Sequence, residues 1–247
     1  MVLVLYITGA VRHSGCPPPL MRIMLQINEL RKDYAIPSGG SKRVVDIQSF
    51  SLAAGRQVAV SGPSGCGKTT FLHLIAGLHP ADGGSIRIGG EDMTALGESG
   101  RDSLRARRIG IIFQTCNLLQ GCTALENVRL GSAFGRKAER DEAAILLARV
   151  GLGGELHHFP RQLSLGQQQR VAVARSLAGS PGLVLADEPT ASLDPETAGV
   201  TISLIQELCA SSSASLLLVS HDPKVLSRFE TCRTFSELSA RVHRGVA

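Results

Sequence analysis

The chain has 247 residues, a formal net charge of +5 and 43% hydrophobic residues. That hydrophobic content is enough for a buried core and excludes a largely disordered chain. The modest positive charge indicates a mildly basic surface, and we expect no nucleic-acid partner. The six cysteines form no CxxC pair and no metal-ligand spacing, as is typical of a reduced cytosolic protein.

The N-terminal segment begins with an apolar run, Met1–Val11, that is shorter than the roughly 20 residues needed to cross a bilayer. It also lacks the basic region that opens a secretory signal peptide. We therefore expect no membrane span in this chain. Residues 1–20 are interpreted as an N-terminal extension or as sequence before the true start at Met21 or Met24, and residues 21–247 as one domain.

The segment before residue 57 shows apolar alternation, which predicts antiparallel strands at Met24–Leu30 and Val44–Leu52 with a loop at Ile36–Lys42. Short apolar runs without alternation follow, as is typical of a parallel sheet with both faces covered. These runs are Gln57–Ser61, Ile109–Phe113, Leu183–Ala186 and Leu216–Ser220.

Helical patterns separate these runs and occupy Thr69–Ala76, Gln167–Ala178 and Glu196–Ala210. Asp194 and Pro195 are suited to cap and begin the last of these helices. Strands that alternate with helices predict an α/β fold with a mostly parallel core sheet, preceded here by an antiparallel β subdomain.

Between about residues 115 and 178 this alternation stops. The stretch is mostly helical, with one helix predicted at Lys137–Arg149, and we interpret it as a helical subdomain inserted into the α/β core. A basic cluster precedes it, for which a solvated helix face is favoured over contact with nucleic acid or lipid headgroups. The cluster consists of Arg101, Arg105, Arg107 and Arg108.

Residues Gly62–Thr69 read GPSGCGKT and match the GxxxxGK[ST] pattern of a phosphate-binding loop. The pattern stands between a predicted strand and a predicted helix, where backbone N–H groups and the helix N-terminus face a phosphate. Lys68 is then expected to reach the β- and γ-phosphates, and the Thr69 hydroxyl to ligate Mg²⁺. The residues expected to bind nucleotide here are Gly62, Pro63, Ser64, Gly65, Cys66, Gly67, Lys68, Thr69 and Thr70.

Two adjacent carboxylates, Asp187 and Glu188, follow the apolar run LVLA at the carboxyl end of a predicted buried strand. Ligands of open parallel sheets bind at this edge. Asp187 is therefore a candidate Mg²⁺ ligand, and Glu188 a candidate general base for an attacking water. A solvated turn is the alternative, and the phosphate loop upstream favours the catalytic interpretation.

Residues Leu163–Arg170 read LSLGQQQR and resemble the LSGGQ signature of ATP-binding cassette (ABC) ATPases. This segment opens a predicted helix whose N-terminus, together with the Ser164 hydroxyl, is suited to a phosphate. Leu165 stands where the family has the first signature glycine, while Gly166 keeps the second. The leucine side chain would either crowd the facing nucleotide or point away from it, and we expect a working but slower site.

Further motifs in the family's order extend the resemblance over about residues 24–229. They imply that Gln114 is the Q-loop residue that contacts the metal and supports catalysis, and that His221 contacts the γ-phosphate. Tyr34 is placed like the aromatic residue that stacks on adenine, with a packing role as the alternative. Across a dimer interface the resemblance implies nucleotide contacts from Ser164, Gly166, Gln167 and Asp194.

The resemblance as a whole implies an ABC-ATPase fold and an ATP-hydrolysing subunit with ATP and Mg²⁺ as cofactors. The phrase LVLADEPTASLD is most similar to the branch that contains LolD, MacB, DevA and FtsE, whose members work in pairs beneath a separate permease and drive extrusion. This implies a homodimer, or a dimer with a paralogous subunit, on the cytoplasmic face of the cell membrane. A permease of the MacB/FtsX type would dock at residues 117–128, with Leu118 and Leu119 exposed; ordinary core positions are the alternative for the two leucines.

Several other functions remain as alternatives at this point. Importer ATPases share part of the same wording, so an importer subunit and a non-transport FtsE-like ATPase are both open. A soluble ABC ATPase of DNA repair or translation would carry two cassettes or a long coiled-coil or zinc insertion, which the sequence lacks. A regulator that binds nucleotide without hydrolysing it is disfavoured, because Lys68, Glu188 and His221 are all present.

Overall fold

The computed structural model describes residues 22–36, 39–133 and 142–239. The predicted extension at residues 1–20 and the first part of the predicted helix Lys137–Arg149 lie outside these residues. The strands are β1 (Ile23–Ala35), β2 (Ser41–Ala53), β3 (Gln57–Ser61), β4 (Gly83–Ile88), β5 (Glu91–Asp92), β6 (Ile109–Ile112), β7 (Leu183–Asp187), β8 (Ser215–Ser220) and β9 (Cys232–Thr234). The helices are α1 (Lys68–Ile75), α2 (Glu98–Arg108), α3 (Ala124–Ser132), α4 (Glu142–Arg149), α5 (Leu165–Leu177), α6 (Pro195–Ser211), α7 (Pro223–Leu226) and α8 (Phe235–Leu238).

An antiparallel sheet of four strands has the order β2-β1-β4-β5. The hairpin β1–β2 extends beyond the predicted strands Met24–Leu30 and Val44–Leu52, up to the pair Ala35 and Ser41. Exposed and half-buried polar residues make up most of this extension, and they carry no apolar alternation that sequence analysis can detect. The predicted loop Ile36–Lys42 is therefore too long, since β2 begins within it.

The core sheet contains five parallel strands in the order β6-β7-β8-β3-β9. Four of them are the predicted buried strands, and their ends differ from the prediction by at most one residue. The mostly parallel core and the preceding antiparallel sheet confirm the predicted α/β ABC-ATPase architecture. Strands β4 and β5, which follow α1, were not predicted and join the antiparallel sheet.

Both faces of the parallel sheet are buried, each in its own hydrophobic cluster. In β7, Val184 and Ala186 belong to the cluster that includes α3, α4, α5 and α6. Leu183 and Leu185 belong to the cluster formed with α1 and the antiparallel sheet. Successive side chains of a strand point to opposite faces, so double coverage removes the polar alternation from the sequence.

Helices α3, α4 and α5 follow β6 and precede β7, and they pack against one another. Helix α5 begins at Leu165, two residues before the prediction, because Ser164 and Gln167 form a reciprocal capping box. Helix α6 begins as predicted, with Asp194 as N-cap and Pro195 at the first position. Within the described ranges, no helix has the length and apolar character that crossing a membrane requires.

Candidate functional site

The phosphate loop connects β3 to α1 at the carboxyl edge of the parallel sheet. Gly67 has a φ of 108°, in the left-handed region that glycine adopts without penalty. A Cβ at this position would lie 2.7 Å from the Val44 carbonyl oxygen, so no other residue fits the turn. Glycine is therefore required at position 67 both by the left-handed backbone and by the close approach of β2.

Lys68 is buried, with 5% of its surface exposed, and its ammonium group folds back on its own loop. Its Nζ donates to the carbonyl oxygens of Gly62 at 2.6 Å and Pro63 at 3.0 Å. The same Nζ lies 3.7 Å from Glu188 Oε1. The lysine predicted to reach the phosphates thus already stands between the loop and the predicted catalytic carboxylate.

Asp187 ends β7 with only 6% of its surface exposed. Burial raises the pKa of this carboxyl group, and the neighbouring Thr69 hydroxyl partly offsets the shift by favouring the ionised form. Its Oδ1 is buried without a hydrogen-bond partner among the described residues. A buried carboxylate oxygen left unpaired in this way is suited to a cation.

Glu188 is held by two consecutive residues at the end of the neighbouring strand β8, namely Ser220, its last residue, and His221, which follows it. Its Oε1 lies 2.7 Å from His221 Nδ1, and its Oε2 accepts a hydrogen bond from the Ser220 hydroxyl at 3.1 Å. Its backbone φ of 43° is left-handed, a conformation that costs free energy in a residue with a side chain and clusters at functional sites. The structure therefore brings together Glu188, His221 and Lys68, which are far apart in sequence, at the carboxyl edge of the parallel sheet.

Ser220 is a residue of this site that the sequence analysis did not identify. Its hydroxyl donates to Glu188, and it accepts a hydrogen bond from the Asp222 backbone N–H at 3.1 Å. The available signal was a polar residue at the end of the apolar run SLLLV, directly before His221. The contact depends on the pairing of β7 with β8, which places Asp187 opposite Val219.

The signature turn is ordered by its own capping interactions. The Ser164 hydroxyl oxygen accepts from the Gln167 backbone N–H at 3.2 Å, and the Gln167 side chain accepts from the Ser164 N–H at 2.9 Å. The Ser164 O–H proton remains available for donation to a ligand. A Cβ at Gly166 would lie 3.0 Å from Thr197 Cγ2, so the retained glycine permits close packing against α6.

Leu165 occupies the first turn of α5 with 47% of its surface exposed. It lines a cleft of about 430 Å³ together with Gln114, Gln168, Ser192 and Leu193. The structure thus brings the predicted Q-loop residue Gln114 close to the first turn of α5 and to Ser192 and Leu193, which shortly precede Asp194. Within a single chain, the Leu165 side chain is not packed into the core and stays exposed in this cleft.

Asp194 and Tyr34 have defined surroundings that do not involve the phosphate loop directly. The Asp194 carboxylate accepts from the backbone N–H groups of Glu196 and Thr197, and hydrogen bonding to Thr197 lowers its pKa. Tyr34 is 40% exposed, and Lys32 Nζ lies 5.6 Å from its ring centroid. The aromatic ring is therefore accessible. It lies on β1, whose hairpin partner β2 contacts the phosphate loop at Gly67.

The predicted docking residues differ in exposure. Leu119 is 54% exposed, as expected, whereas Leu118 is only 7% exposed and belongs to the hydrophobic core. The prediction that both are exposed is wrong for Leu118. The two adjacent leucines lie in an irregular segment, where one side chain points inward and the other outward. Because the segment has no helical or strand periodicity, the sequence does not show which of the two is buried.

The arginine cluster on α2 makes local contacts. Arg107 and Arg108 lie 3.0 and 3.4 Å from the carboxylate oxygens of Glu91. Arg105 contacts Asp102 and the Ala76 carbonyl oxygen. These contacts support the interpretation of a solvated helix face with partly compensated charge.

Comparison with known proteins agrees with this geometry. A family model described as "ABC transporter" matches residues 45–191. The lipoprotein-releasing system ATP-binding protein LolD of Pseudomonas syringae pv. tomato is 43% identical over 206 residues, which cover 81% of this chain and 89% of that protein. LolD of Treponema pallidum is 38% identical over 207 residues, which cover 83% of this chain and 91% of that protein.

A solved structure is also similar to this chain. It is a dimeric structure of the ATP-binding cassette MJ0796, in a post-hydrolysis state bound to ADP and Pi. It matches with a TM-score of 0.78 and 32% identity, covering 85% of this chain and 94% of that chain.

The chain therefore belongs to the ABC transporter family of ATP-binding proteins. It binds ATP, it is an ATPase, and it serves as the ATP-binding subunit of a transporter. Within that family it is similar to LolD over most of its length.

Proposed function

We propose that this subunit hydrolyses ATP with Glu188 as the general base for the attacking water and His221 as its partner toward the γ-phosphate. The contact of 2.7 Å between His221 Nδ1 and Glu188 Oε1 is the observation that carries this assignment. Lys68 and the backbone N–H groups from Gly62 to Thr70 bind the phosphates. Tyr34 stacks on adenine from the exposed edge of the β1–β2 hairpin.

The end of β7 fits a Mg²⁺ ion. Asp187 Oδ1 has no hydrogen-bond partner among the described residues, and burial raises the pKa of this carboxyl group. A cation bound here would stabilise the ionised carboxylate. Asp187 and the Thr69 hydroxyl would hold the ion, and Gln114 would contribute from the Q-loop. When bound, the ion neutralises charge on the β- and γ-phosphates.

The complete site requires a second copy of the chain or a paralogous subunit. Among the described residues, Ser164 and Gln167 form hydrogen bonds with each other and none with Lys68 or Glu188. Their free donors and the N-terminus of α5 suit the phosphates of a nucleotide bound by the partner subunit. Gly166 and Asp194 contribute to the same face. The cassette MJ0796, which is similar to this chain, has been solved as a dimer.

The partner that this dimer energises is a membrane permease of the MacB/FtsX type, and the work is extrusion or lipoprotein release. The identity to LolD over most of the chain supports this choice over an importer. The docking surface lies around the exposed Leu119, at the start of the helical segment. The subunit then sits on the cytoplasmic face of the cell membrane.

The domain organisation follows the same proposal. Residues 21–247 form one ABC ATPase domain with a helical subdomain inserted at about residues 115–178, and residues 1–20 are an extension or precede the true start. The packing of α3 against α4 and α5 supports the inserted unit.

Trapping the dimer tests the composite site. Glu188→Gln keeps the carboxyl-sized side chain but removes the base, so ATP binds and is not consumed. In sedimentation experiments this variant should dimerise with ATP, and its double variant with Ser164→Ala should dimerise less. Glu188→Gln that stays monomeric with ATP, alone and beside the co-expressed permease, would refute the two-chain site.

A further inference from the structure

A short helix near the end of the described chain lies against the phosphate loop. Strand β9 pairs in parallel with β3, and Thr234 is opposite Ser61. The residues that follow these two are Phe235 and Gly62, so the pairing brings the start of α8 to the start of the loop. Phe235 is buried, with 6% of its surface exposed.

The Phe235 side chain reaches both ends of the loop. A Cβ built on Gly62 would lie 3.2 Å from Phe235 Cβ, and one built on Gly67 would lie 3.4 Å from Phe235 Cε1. Gly62 also supplies the carbonyl oxygen that Lys68 Nζ contacts at 2.6 Å. The Phe235 side chain therefore lies against both glycines, with its Cβ beside Gly62 and its ring edge beside Gly67.

The ring is itself fixed by its neighbours. Phe235 makes an edge contact with Phe71 of α1, with ring centroids 5.8 Å apart, and Phe71 makes a second edge contact with Phe50 of β2 at 6.1 Å. A capping box between Thr234 and Glu237 sets the first turn of α8. Packing and capping thus leave the ring little freedom.

We propose that Phe235 is a positioning residue for nucleotide binding. It holds Gly62 and Gly67 at the separation in which the backbone N–H groups of the loop converge on phosphate. It touches neither the nucleotide nor the reacting atoms. Loss of the ring leaves the loop free to spread, and nucleotide binding must then order it again, which weakens affinity.

Matched truncations in the aromatic row test this role. Phe50 contacts the same Phe71 ring and is comparably buried, at 8% exposed, and no contact with a loop glycine is found for it. In calorimetric titrations of the full chain with ATP, Phe235→Ala should raise the Kd about tenfold, which corresponds to a cost of about 1.4 kcal/mol for ordering the loop again on binding. Phe50→Ala should lower the Tm about as much as Phe235→Ala does, but it should change the Kd for ATP less than about twofold.

A conservative pair keeps the test decisive if the alanine variants fold poorly. Phe235→Leu retains Cβ beside Gly62 and loses the ring edge beside Gly67, so it should weaken ATP binding more than Phe50→Leu does. The KM for ATP should rise in the Phe235 variants while kcat at saturating ATP stays near the wild-type value. An unchanged Kd in Phe235→Leu, or equal weakening by the two leucine variants, would overturn the proposal.

Discussion

His221 Nδ1 and Glu188 Oε1 lie 2.7 Å apart, across the two neighbouring strands β7 and β8. The other carboxylate oxygen of Glu188 accepts from Ser220, and Lys68 Nζ lies 3.7 Å from Oε1. The carboxylate is therefore fixed from three directions. Such fixed geometry is what general base catalysis requires.

Replacing Glu188 should abolish hydrolysis and spare binding. Glu188→Gln removes the base, and we expect phosphate release to fall at least about 100-fold while the Kd for ATP changes little. Phosphate release by the purified chain measures the effect. Glu230→Gln, which alters an exposed carboxylate ahead of β9, is the control and should hydrolyse ATP at the wild-type rate. Appreciable hydrolysis by Glu188→Gln would assign the base to another residue.

Leu165→Gly tests whether the unusual signature residue slows the enzyme. The leucine side chain is half exposed at the first turn of α5, on the surface proposed to face the partner's nucleotide. If it crowds that nucleotide, glycine should raise kcat about threefold, which corresponds to a barrier lower by about 0.7 kcal/mol. Leu165→Ala should give an intermediate rate. Turnover that is the same in all three proteins would remove the crowding explanation.

The adjacent leucines Leu118 and Leu119 should respond differently to truncation. Leu118→Ala opens a cavity in the core and should lower the free energy of unfolding by about 2–5 kcal/mol. Leu119→Ala should change it by less than about 0.5 kcal/mol but weaken copurification with a co-expressed MacB/FtsX-type permease. Urea unfolding and pull-down of the complex measure the two effects. Unimpaired complex formation by Leu119→Ala would place the docking surface elsewhere.

His73 should make stability depend on pH. Burial, with a smaller effect from His79, lowers the pKa of His73 below its usual value of about 6.5. The unfolded chain then binds a proton at a higher pH than the folded chain, so the free energy of unfolding falls as the pH drops below about 6.5. His73→Gln should lose less stability than the wild type between about pH 7.5 and pH 5.5 in urea titrations. Identical pH dependence in the two proteins would show that partial burial does not lower the pKa of His73.

Much of the site could be predicted because its motifs are contiguous in sequence. The loop Gly62–Thr69 and the pair Asp187–Glu188 each lie where a strand ends, and local patterns identify both the strand and the polar residues after it. The parallel sheet then brings these strand ends to one edge. Local sequence therefore determined the class of chemistry and the order of the elements.

Tertiary structure decided the contacts that depend on register and packing. Leu118 is buried and Leu119 exposed, although the two are adjacent and chemically identical. Phe235 reaches the phosphate loop because β9 pairs with β3, a contact between segments far apart in sequence. Periodicity reports which residues are apolar, whereas the partner of a buried side chain is selected by the free energy of packing the whole core.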